Sequence, residues 1–343
     1  MESPTSSSSD HSWWTRGRCI GRGSFATVHI ATNKSTGRIF AVKSVPLSNS
    51  NQLTALENEI RILRKLTNSS PYVVRYLGDD TTTSNAGNYR NLHLEYLPAG
   101  YVSGGGETEL VVRSYTRCLV TALIELHSRN IVHCDVKGRN VLVGGHKPGE
   151  CKLADFGAAV DLSSCSENGR KISPRGSPLW MAPEVLRGES QGPESDVWSL
   201  GCTVIEMLTG KPAWRDRGEN DTVFEIALSN HTPEIPASIS EQGRDFLNRC
   251  LRREPAERWS CNQLLNHPFL SSIGFESVWS SSSTPRCVLD EFHSSFDECE
   301  EFGSNLNSVL TSHSDSSDSS LAMEELCCGG EGPVWEGMMM MGG

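Results

Sequence analysis

The stretch His133-Cys134-Asp135-Val136-Lys137-Gly138-Arg139-Asn140 is followed, 15 residues beyond Asn140, by Asp155-Phe156-Gly157 and then by Met181-Ala182-Pro183-Glu184. Taken singly, these motifs are weak evidence, because an Asp-Phe-Gly tripeptide also occurs as a chance turn and Asp135 could cap a helix. Their occurrence in this order would require several independent coincidences. The preceding sequence shows whether they belong to one active site.

A glycine-rich segment, Gly21-Arg22-Gly23-Ser24-Phe25-Ala26-Thr27-Val28, lies between two predicted strands. Small residues there would let backbone N–H groups close over a phosphate. A glycine-rich hairpin turn is the alternative interpretation. Lys43, on the next predicted strand, adds a cation within reach of the same phosphates. Its candidate partner is Glu59, which falls within the apolar arc of the following predicted helix and needs a partner there.

Hydrophobic periodicity predicts a small strand-rich lobe followed by a larger helical one. The strand-like runs cover residues 16–20, 27–32, 38–46, 72–77 and 90–96, and the helical segments cover residues 52–67, 114–128, 184–210, 221–230 and 240–250. Residues 196–208 are apolar on nearly all sides, which predicts a helix buried at the centre of the helical lobe.

Taken together, the motifs resemble those of the eukaryotic protein kinase family over about residues 14–270. The resemblance implies an α+β, two-lobed protein kinase fold, with a β-rich N-lobe at residues 14–97 and a helical C-lobe at residues 98–270. It also implies ATP and Mg²⁺ as cofactors.

The resemblance assigns catalytic roles to Asp135, Lys137, Lys43 and Asn140. Asp135 would accept the proton of the attacking hydroxyl, and Lys137 would steady the transferred phosphate. Lys43 would neutralise the α- and β-phosphates. Asn140 and Asp155 would bind the metal, because their oxygen ligands suit Mg²⁺.

The resemblance also outlines an ATP site. Glu59 would hold Lys43, Leu94 would be the gatekeeper, and the Glu95 carbonyl and Leu97 backbone would hold the adenine. The other residues that it assigns to ATP binding are Gly21, Arg22, Gly23, Ser24, Phe25, Ala26, Val28, Ala41 and Asp155. Structural roles follow for Asp196, which would brace the catalytic loop, and for Glu184, which would pair with Arg258.

Lys137 and residues 176–180 resemble the serine/threonine class. Local phrases (GRGSFATV, LENEIRIL, LHLEYLPAG, CKLADFGAA and GSPLWMAPEV) are similar to short plant MAP kinase kinase kinases of the MEKK-like subfamily, which are associated with stress and abscisic-acid signalling. The implied partner is a MAP kinase kinase, phosphorylated on its activation loop.

Two other functions compete with this one. A pseudokinase scaffold would bind partners without turnover, but Lys43, Asp135, Asn140 and Asp155 are all present. A metabolic small-molecule kinase is disfavoured because residues 176–184 resemble a peptide-positioning loop.

The chain departs from the family pattern at Ala26, Cys134 and Trp259. Where kinases carry Arg at the position of Cys134, that Arg meets a phosphate on the activation loop, and a thiol cannot replace it. We therefore expect activity to depend only weakly on phosphorylation of the candidate serines, which are Ser163, Ser164, Ser166 and Ser173. Arg139 or another cation could substitute, and a redox role for Cys134 is a third interpretation.

The charge is distributed unevenly. Of a net charge of -11, residues 1–270 carry +1 and residues 271–343 carry -12. A near-neutral body argues against nucleic-acid binding, and no apolar run is long enough for a membrane span. The scattered cysteines and the absence of an apolar leader favour reduced thiols in the cytoplasm or nucleus.

Both ends of the chain are rich in serine, and residues 1–12 and 271–343 are predicted to be disordered. Hydrophobic residues set among acids, at residues 287–292 and 296–302, give the tail an alternative role as a docking segment for a basic regulator.

Overall fold

The computed structural model describes residues 13–22, 26–67, 69–84, 87–102, 106–145, 149–164, 174–215 and 218–271. The predicted disordered residues 1–12 and the acidic tail beyond Ser271 lie outside these ranges, as do Gly23, Ser24 and Phe25.

The N-terminal lobe is a five-stranded antiparallel sheet with the strand order β1-β2-β3-β5-β4, packed against one helix. Its elements are β1 (Trp14–Arg22), β2 (Thr27–Asn33), β3 (Ile39–Pro46), α1 (Ser50–Lys65), β4 (Tyr76–Ser84) and β5 (Gly87–Leu94). Alternation along β3 sends Phe40 and Val42 into a small outer cluster with Trp14, while Ala41 and Val45 belong to the main core. Lys43 shares the inner face, and this direction points it towards α1.

Helix α1 begins where the side chain of Asn49 accepts a hydrogen bond from the backbone N–H of Gln52. Its apolar face, which includes Leu56, Ile60 and Leu63, is buried in the core. Glu59 lies on this buried face, only 1% exposed, as the periodicity predicted.

The strand predicted at residues 72–77 is wrong in its position, because β4 begins at Tyr76. Tyr72 and Val74 instead exchange backbone hydrogen bonds with Leu153 in the other lobe, at 2.8 and 2.9 Å. This segment therefore joins the two lobes rather than extending the sheet.

The second lobe is mainly helical. Its elements are α2 (Glu109–Ser128), β6 (Ile131–Val132), β7 (Val141–Val143), β8 (Cys151–Leu153), β9 (Val160–Asp161), α3 (Pro183–Leu186), α4 (Pro193–Thr209), α5 (Glu219–Leu228), α6 (Glu241–Cys250), α7 (Cys261–Leu265) and α8 (Pro268–Ser271). Strand β6 pairs with β9 and β7 pairs with β8, so two small sheets flank the loop that carries Asp135.

The helix predicted over residues 184–210 is two helices. Gly188 adopts a left-handed backbone with φ +68°, which ends the turn after α3, and Pro193 opens α4 as its first residue. Helix α4 is buried on nearly all sides, which confirms the prediction for residues 196–208. No helix in the described part of the chain combines the length and the apolar character needed to cross a membrane.

The last described helix, α8, is tied to α2 by two arginines. Arg113 Nε donates to the Phe269 carbonyl at 2.6 Å, and Arg117 donates to the Leu270 carbonyl at 3.3 Å. The carbonyls at the end of α8 therefore have cationic partners within the lobe.

Candidate active site

Lys43 lies between two carboxylates. Its Nζ is 2.7 Å from Glu59 Oε2 and 2.9 Å from Asp155 Oδ1, so the strand, α1 and the Asp-Phe-Gly segment converge on one ammonium group. Burial would lower the pKa of Lys43, but the charges of Glu59 and Asp155 and their hydrogen bonds more than offset it and raise the pKa. Lys43 therefore stays protonated at neutral pH.

The two carboxylates around Lys43 lie in different environments. Burial raises the pKa of Glu59 above its ordinary value, with the Lys43 charge acting against it. Partial removal from water would raise the pKa of Asp155, but the charge of Lys43 lowers it below its usual value. The side chain of Asp155 remains 47% exposed, so this carboxylate is both ionised and accessible to a cation.

The loop that carries Asp135 brings three predicted catalytic residues together. Asn140 Nδ2 donates to Asp135 at both the backbone oxygen, at 2.8 Å, and Oδ2, at 3.0 Å. Lys137 Nζ is 2.8 Å from Asp135 Oδ2 and donates to Ser177 Oγ at 2.6 Å. The Ser177 contact ties the catalytic loop to residues 176–180.

The two carboxylate oxygens of Asp135 differ in their partners. Oδ1 is buried and accepts no hydrogen bond from any residue that the structure describes, whereas Oδ2 is held by Asn140 and Lys137. A buried carboxylate oxygen without a donor is costly unless a ligand supplies the donor. A substrate hydroxyl at this position would satisfy it and transfer its proton there.

Asp196, at the start of the buried helix α4, holds the catalytic loop from below. Its Oδ2 accepts the backbone N–H of His133 at 2.8 Å, and its Oδ1 accepts that of Cys134 at 2.9 Å. His127 Nε2 lies 2.9 Å from Oδ2. Burial opposes a charge on His127, but the hydrogen bond to Asp196 and a contact with Cys261 raise the pKa of the imidazole to about 10. A protonated His127 therefore balances the Asp196 carboxylate, and the predicted bracing role has a geometric basis.

The residues predicted to hold adenine lie where β5 leaves the sheet. Leu94 ends β5, pairs with Ala41 and is 9% exposed. The Glu95 side chain accepts from Lys152 Nζ and from the Arg75 backbone N–H, each at 2.7 Å. The Glu95 backbone N–H donates to the Arg75 carbonyl at 3.0 Å, and this bond fixes the backbone two residues before Leu97.

The glycine-rich segment is described at its two ends. Gly21 pairs with Val28 and Arg22 with Thr27 across β1 and β2, and Ala26 and Val28 pack against the main core. The predicted contacts of Gly23, Ser24 and Phe25 lie outside the described residues.

The donor set fits Mg²⁺ with ATP. Asn140 uses its amide hydrogens on Asp135, which leaves its carbonyl oxygen for a cation, and Asp155 offers an ionised, exposed carboxylate. Within the described residues, no cluster of three or more His, Cys, Asp or Glu side chains is arranged to hold a metal by itself. Such a sparse set suits Mg²⁺, which usually takes one or two protein carboxylates and completes its shell with water and phosphate oxygens.

Glu184 and Arg258 form the predicted pair, with two hydrogen bonds of 2.6 and 2.7 Å. The guanidinium also lies 5.2 Å from the centre of the Trp198 ring on α4. Trp259, one of the departures from the family pattern, packs under Arg249 at 4.8 Å, which is a structural role away from the cleft.

Cys134, the second departure, lies in an apolar cluster. It is 5% exposed and packs with Val132 and Val160. Burial raises the pKa of the thiol well above its usual value of 9.0, with the Asp196 charge adding to the effect. The redox interpretation is therefore poorly supported, because reactive cysteines are ionised and accessible.

Sequence reasoning missed Glu206, which accepts from the backbone N–H of Gly138 and from Trp180 Nε1, both at 2.9 Å. It joins the catalytic loop to the segment with Ser177. Its signal in the sequence was a carboxylate within the largely apolar stretch 197–208 of α4, which could have identified it by the argument that identified Glu59.

Comparisons with known proteins agree with this geometry. Residues 14–270 match the protein kinase domain family. The chain is 45% identical over 271 residues to mitogen-activated protein kinase kinase kinase 17 of Arabidopsis thaliana, covering 76% of this chain and 70% of that protein. It is 42% identical over 295 residues to mitogen-activated protein kinase kinase kinase 18 of the same plant, covering 81% of this chain and 84% of that protein. Mitogen-activated protein kinase kinase kinase 3 of Mus musculus is 40% identical over 281 residues, which cover 79% of this chain and 44% of that protein. The chain belongs to the protein kinase family and is a serine/threonine protein kinase.

Proposed function

We propose that this kinase is a MAP kinase kinase kinase that transfers the γ-phosphate of ATP to serine or threonine residues in the activation loop of a MAP kinase kinase. The observation that carries the proposal is its likeness to proteins named for that activity, over more than two thirds of the length of two of them. The site supports peptide phosphorylation because Lys137 connects the proton acceptor, Asp135, to Ser177.

In this proposal each residue has one task. Lys43, held by Glu59, binds the α- and β-phosphates, and Asp155 with Asn140 binds Mg²⁺, which neutralises phosphate charge when present. Asp135 Oδ1 accepts the substrate hydroxyl proton. Lys137 stabilises the charge of the transferred phosphoryl group.

We expect labelled ATP with Mg²⁺ to phosphorylate at least one member of a panel of catalytically dead MAP kinase kinases on serine or threonine. Acid hydrolysis followed by phosphoamino-acid analysis identifies the acceptor, and the Asp135→Asn enzyme serves as the blank. Predominant phosphotyrosine would contradict the acceptor assignment. Labelling of a generic protein but of no panel member would contradict the proposed substrate.

We further propose a role in stress or hormone signalling, including abscisic-acid signalling, in the cytoplasm or the nucleus. The resemblance of the local sequence phrases to short plant kinases of this group supports it. The composition of the acidic tail supports a regulator that docks on it, because hydrophobic residues set among acids are typical of interaction segments.

Deletion of residues 275–343 should keep turnover on a generic peptide but change phosphorylation of the MAP kinase kinase. The catalytic set is complete before the tail, and the bonds from Arg113 and Arg117 to α8 remain in this variant. Kinase assays on both substrates make the comparison. A tail of full length with its acids changed to Asn and Gln separates the effect of charge from that of length. Loss of activity on the generic peptide would show that the tail belongs to the fold.

A further inference from the structure

One side of α1 holds the backbone that follows Asp155. Asn58, Glu59, Arg61 and Lys65 all reach this backbone or its side chains, and Glu59 Oε1 accepts the Phe156 N–H at 3.3 Å. The placement of Glu59 beside Lys43 therefore depends on how firmly this segment and α1 are joined.

Asn58 on α1 contacts backbone carbonyl groups of residues 156–159. Its Nδ2 lies 3.3 Å from the Phe156 oxygen, 3.1 Å from the Gly157 oxygen and 2.8 Å from the Ala159 oxygen. Its own Oδ1 accepts from Arg61 at 2.9 Å. One amide on α1 therefore contacts three carbonyl groups of this segment.

Asp161 supplies the charged half of this junction. Its side chain is 3% exposed, and Oδ2 accepts from Arg61 at 3.3 Å and from Lys65. Oδ1 accepts the backbone N–H of Ser163 at 3.1 Å. Burial would raise the pKa of Asp161, but the hydrogen bond and charge of Lys65 hold it below its usual value, so the carboxylate is ionised at neutral pH.

The position of Asp161 in the fold connects α1 to the catalytic loop. Asp161 pairs with Ile131 between β9 and β6, and β6 leads directly into His133. Its neighbour Val160 fills the apolar cluster with Cys134. The buried thiol of Cys134 carries no positive charge that could bind a phosphate on the activation loop. The cations of α1, in contrast, already bind the Asp161 carboxylate.

We propose that Asp161 is a positioning residue for phosphoryl transfer. Its carboxylate binds Arg61 and Lys65 of α1, and so takes the part that a phosphate added to the activation loop would otherwise play. It holds α1, and with it the Glu59–Lys43 pair, against the segment after Asp155 without modification of the activation loop. The proposal concerns the transfer step itself, so it holds whichever protein is the substrate.

The chain offers a matched control for each test variant. The side chain of Asp79 is also little exposed, at 7%, and also binds two arginines, of which Arg64 lies on α1. Within the described residues, its ion pairs stay inside the N-terminal sheet and α1. Lys65 and Arg64 are adjacent and similarly exposed, at 51% and 56%. Asp161→Asn is therefore compared with Asp79→Asn, and Lys65→Met with Arg64→Met.

We measure kcat, the KM for a generic peptide and Tm for the full-length kinase. Asp161→Asn should lower kcat by about tenfold with little change in the peptide KM, and Lys65→Met should lower it less. Asp161→Glu should restore most of the loss. Asp79→Asn and Arg64→Met should lower Tm as much as their counterparts and leave kcat within about twofold.

Three results would overturn the proposal, and a fourth applies if Asp161→Asn does not fold. The first is an Asp161→Asn enzyme with kcat within about twofold of wild type, and the second is an equal loss in Asp79→Asn. If Asp161→Asn does not fold, the Arg61→Met/Lys65→Met double variant decides, since both side chains are partly exposed, and unchanged kcat there counts against the proposal. The third is a hundredfold loss, on the order of 3 kcal/mol, when Ser163, Ser164, Ser166 and Ser173 are changed together to Ala, where the proposal expects less than about tenfold.

Discussion

Lys43→Met and Asp135→Asn will each reduce phosphoryl transfer by about a hundredfold or more. Both side chains act on charge that develops during the transfer, and removal of one such positioned group costs on the order of 3 kcal/mol in the transition state. Asp135→Asn keeps the shape of the side chain and its contact with Lys137, but its amide cannot accept the hydroxyl proton. Turnover on a generic peptide, with circular dichroism to check folding, measures the effect.

The two variants differ in their expected stability. Lys43→Met leaves Glu59 buried without its cation, which destabilises the fold, whereas Asp135 stands at the cleft and its replacement should leave Tm nearly unchanged. Lys152→Met is the control for loss of a buried lysine, since it removes the 2.7 Å pair with Glu95 outside the phosphate site. It should lower Tm with a much smaller effect on kcat. More than a tenth of wild-type turnover in either active-site variant would refute the assigned roles.

Gly176→Ala will also inactivate the enzyme. Gly176 has φ +113°, and a Cβ there would lie 2.0 Å from the carbonyl oxygen of Cys134, far inside contact distance. The contact is with backbone, so relief requires the segment to move away from the catalytic loop. Ser177 would then be drawn off Lys137, and we expect a loss of about a hundredfold in kcat, measured on the same peptide.

Gly188→Ala is the matched control for this variant. Gly188 also has a left-handed backbone, at φ +68°, but apart from its chain neighbours no atom of the described residues lies within 4 Å of the position of its Cβ. This substitution should cost only the backbone strain, about 1 kcal/mol, and leave kcat nearly unchanged. Equal activity of the two variants would show that the approach of Gly176 to Cys134 is not required for catalysis.

The sequence allowed the chemistry to be predicted more completely than the architecture. Glu59 could be paired with Lys43 because a carboxylate on an apolar helical face needs a partner. The division between α3 and α4 was missed because the hydrophobic periodicity continues across the break. Gly188 and Pro193 are the residues of the sequence that indicate the break. Tyr72 and Val74 were assigned to a strand because they lie in an apolar run, and only the tertiary contact with Leu153 shows their partner.

The contacts of Asn58 and Asp161 could not have been predicted in this way. Asn58 binds carbonyl groups, which every sequence has, and its partner Ala159 lies 101 residues further along the chain. Asp161 pairs with Lys65 at a separation of 96 residues. Charge patterning identifies neighbours along one helix, but not partners brought together by the packing of two lobes.

The dependence of the catalytic loop on Asp196 has a consequence for proteolysis and for partial unfolding. Every residue that touches ATP or the acceptor in the proposed mechanism precedes residue 156, yet the carboxylate that holds the loop stands on α4, whose residues are Pro193–Thr209. A fragment cut between the two would retain the full set of reactive groups with no support for their arrangement. Activity is therefore a property of the cooperative unit that includes α4, and unfolding of the helical lobe would abolish activity even if the N-terminal sheet remained folded.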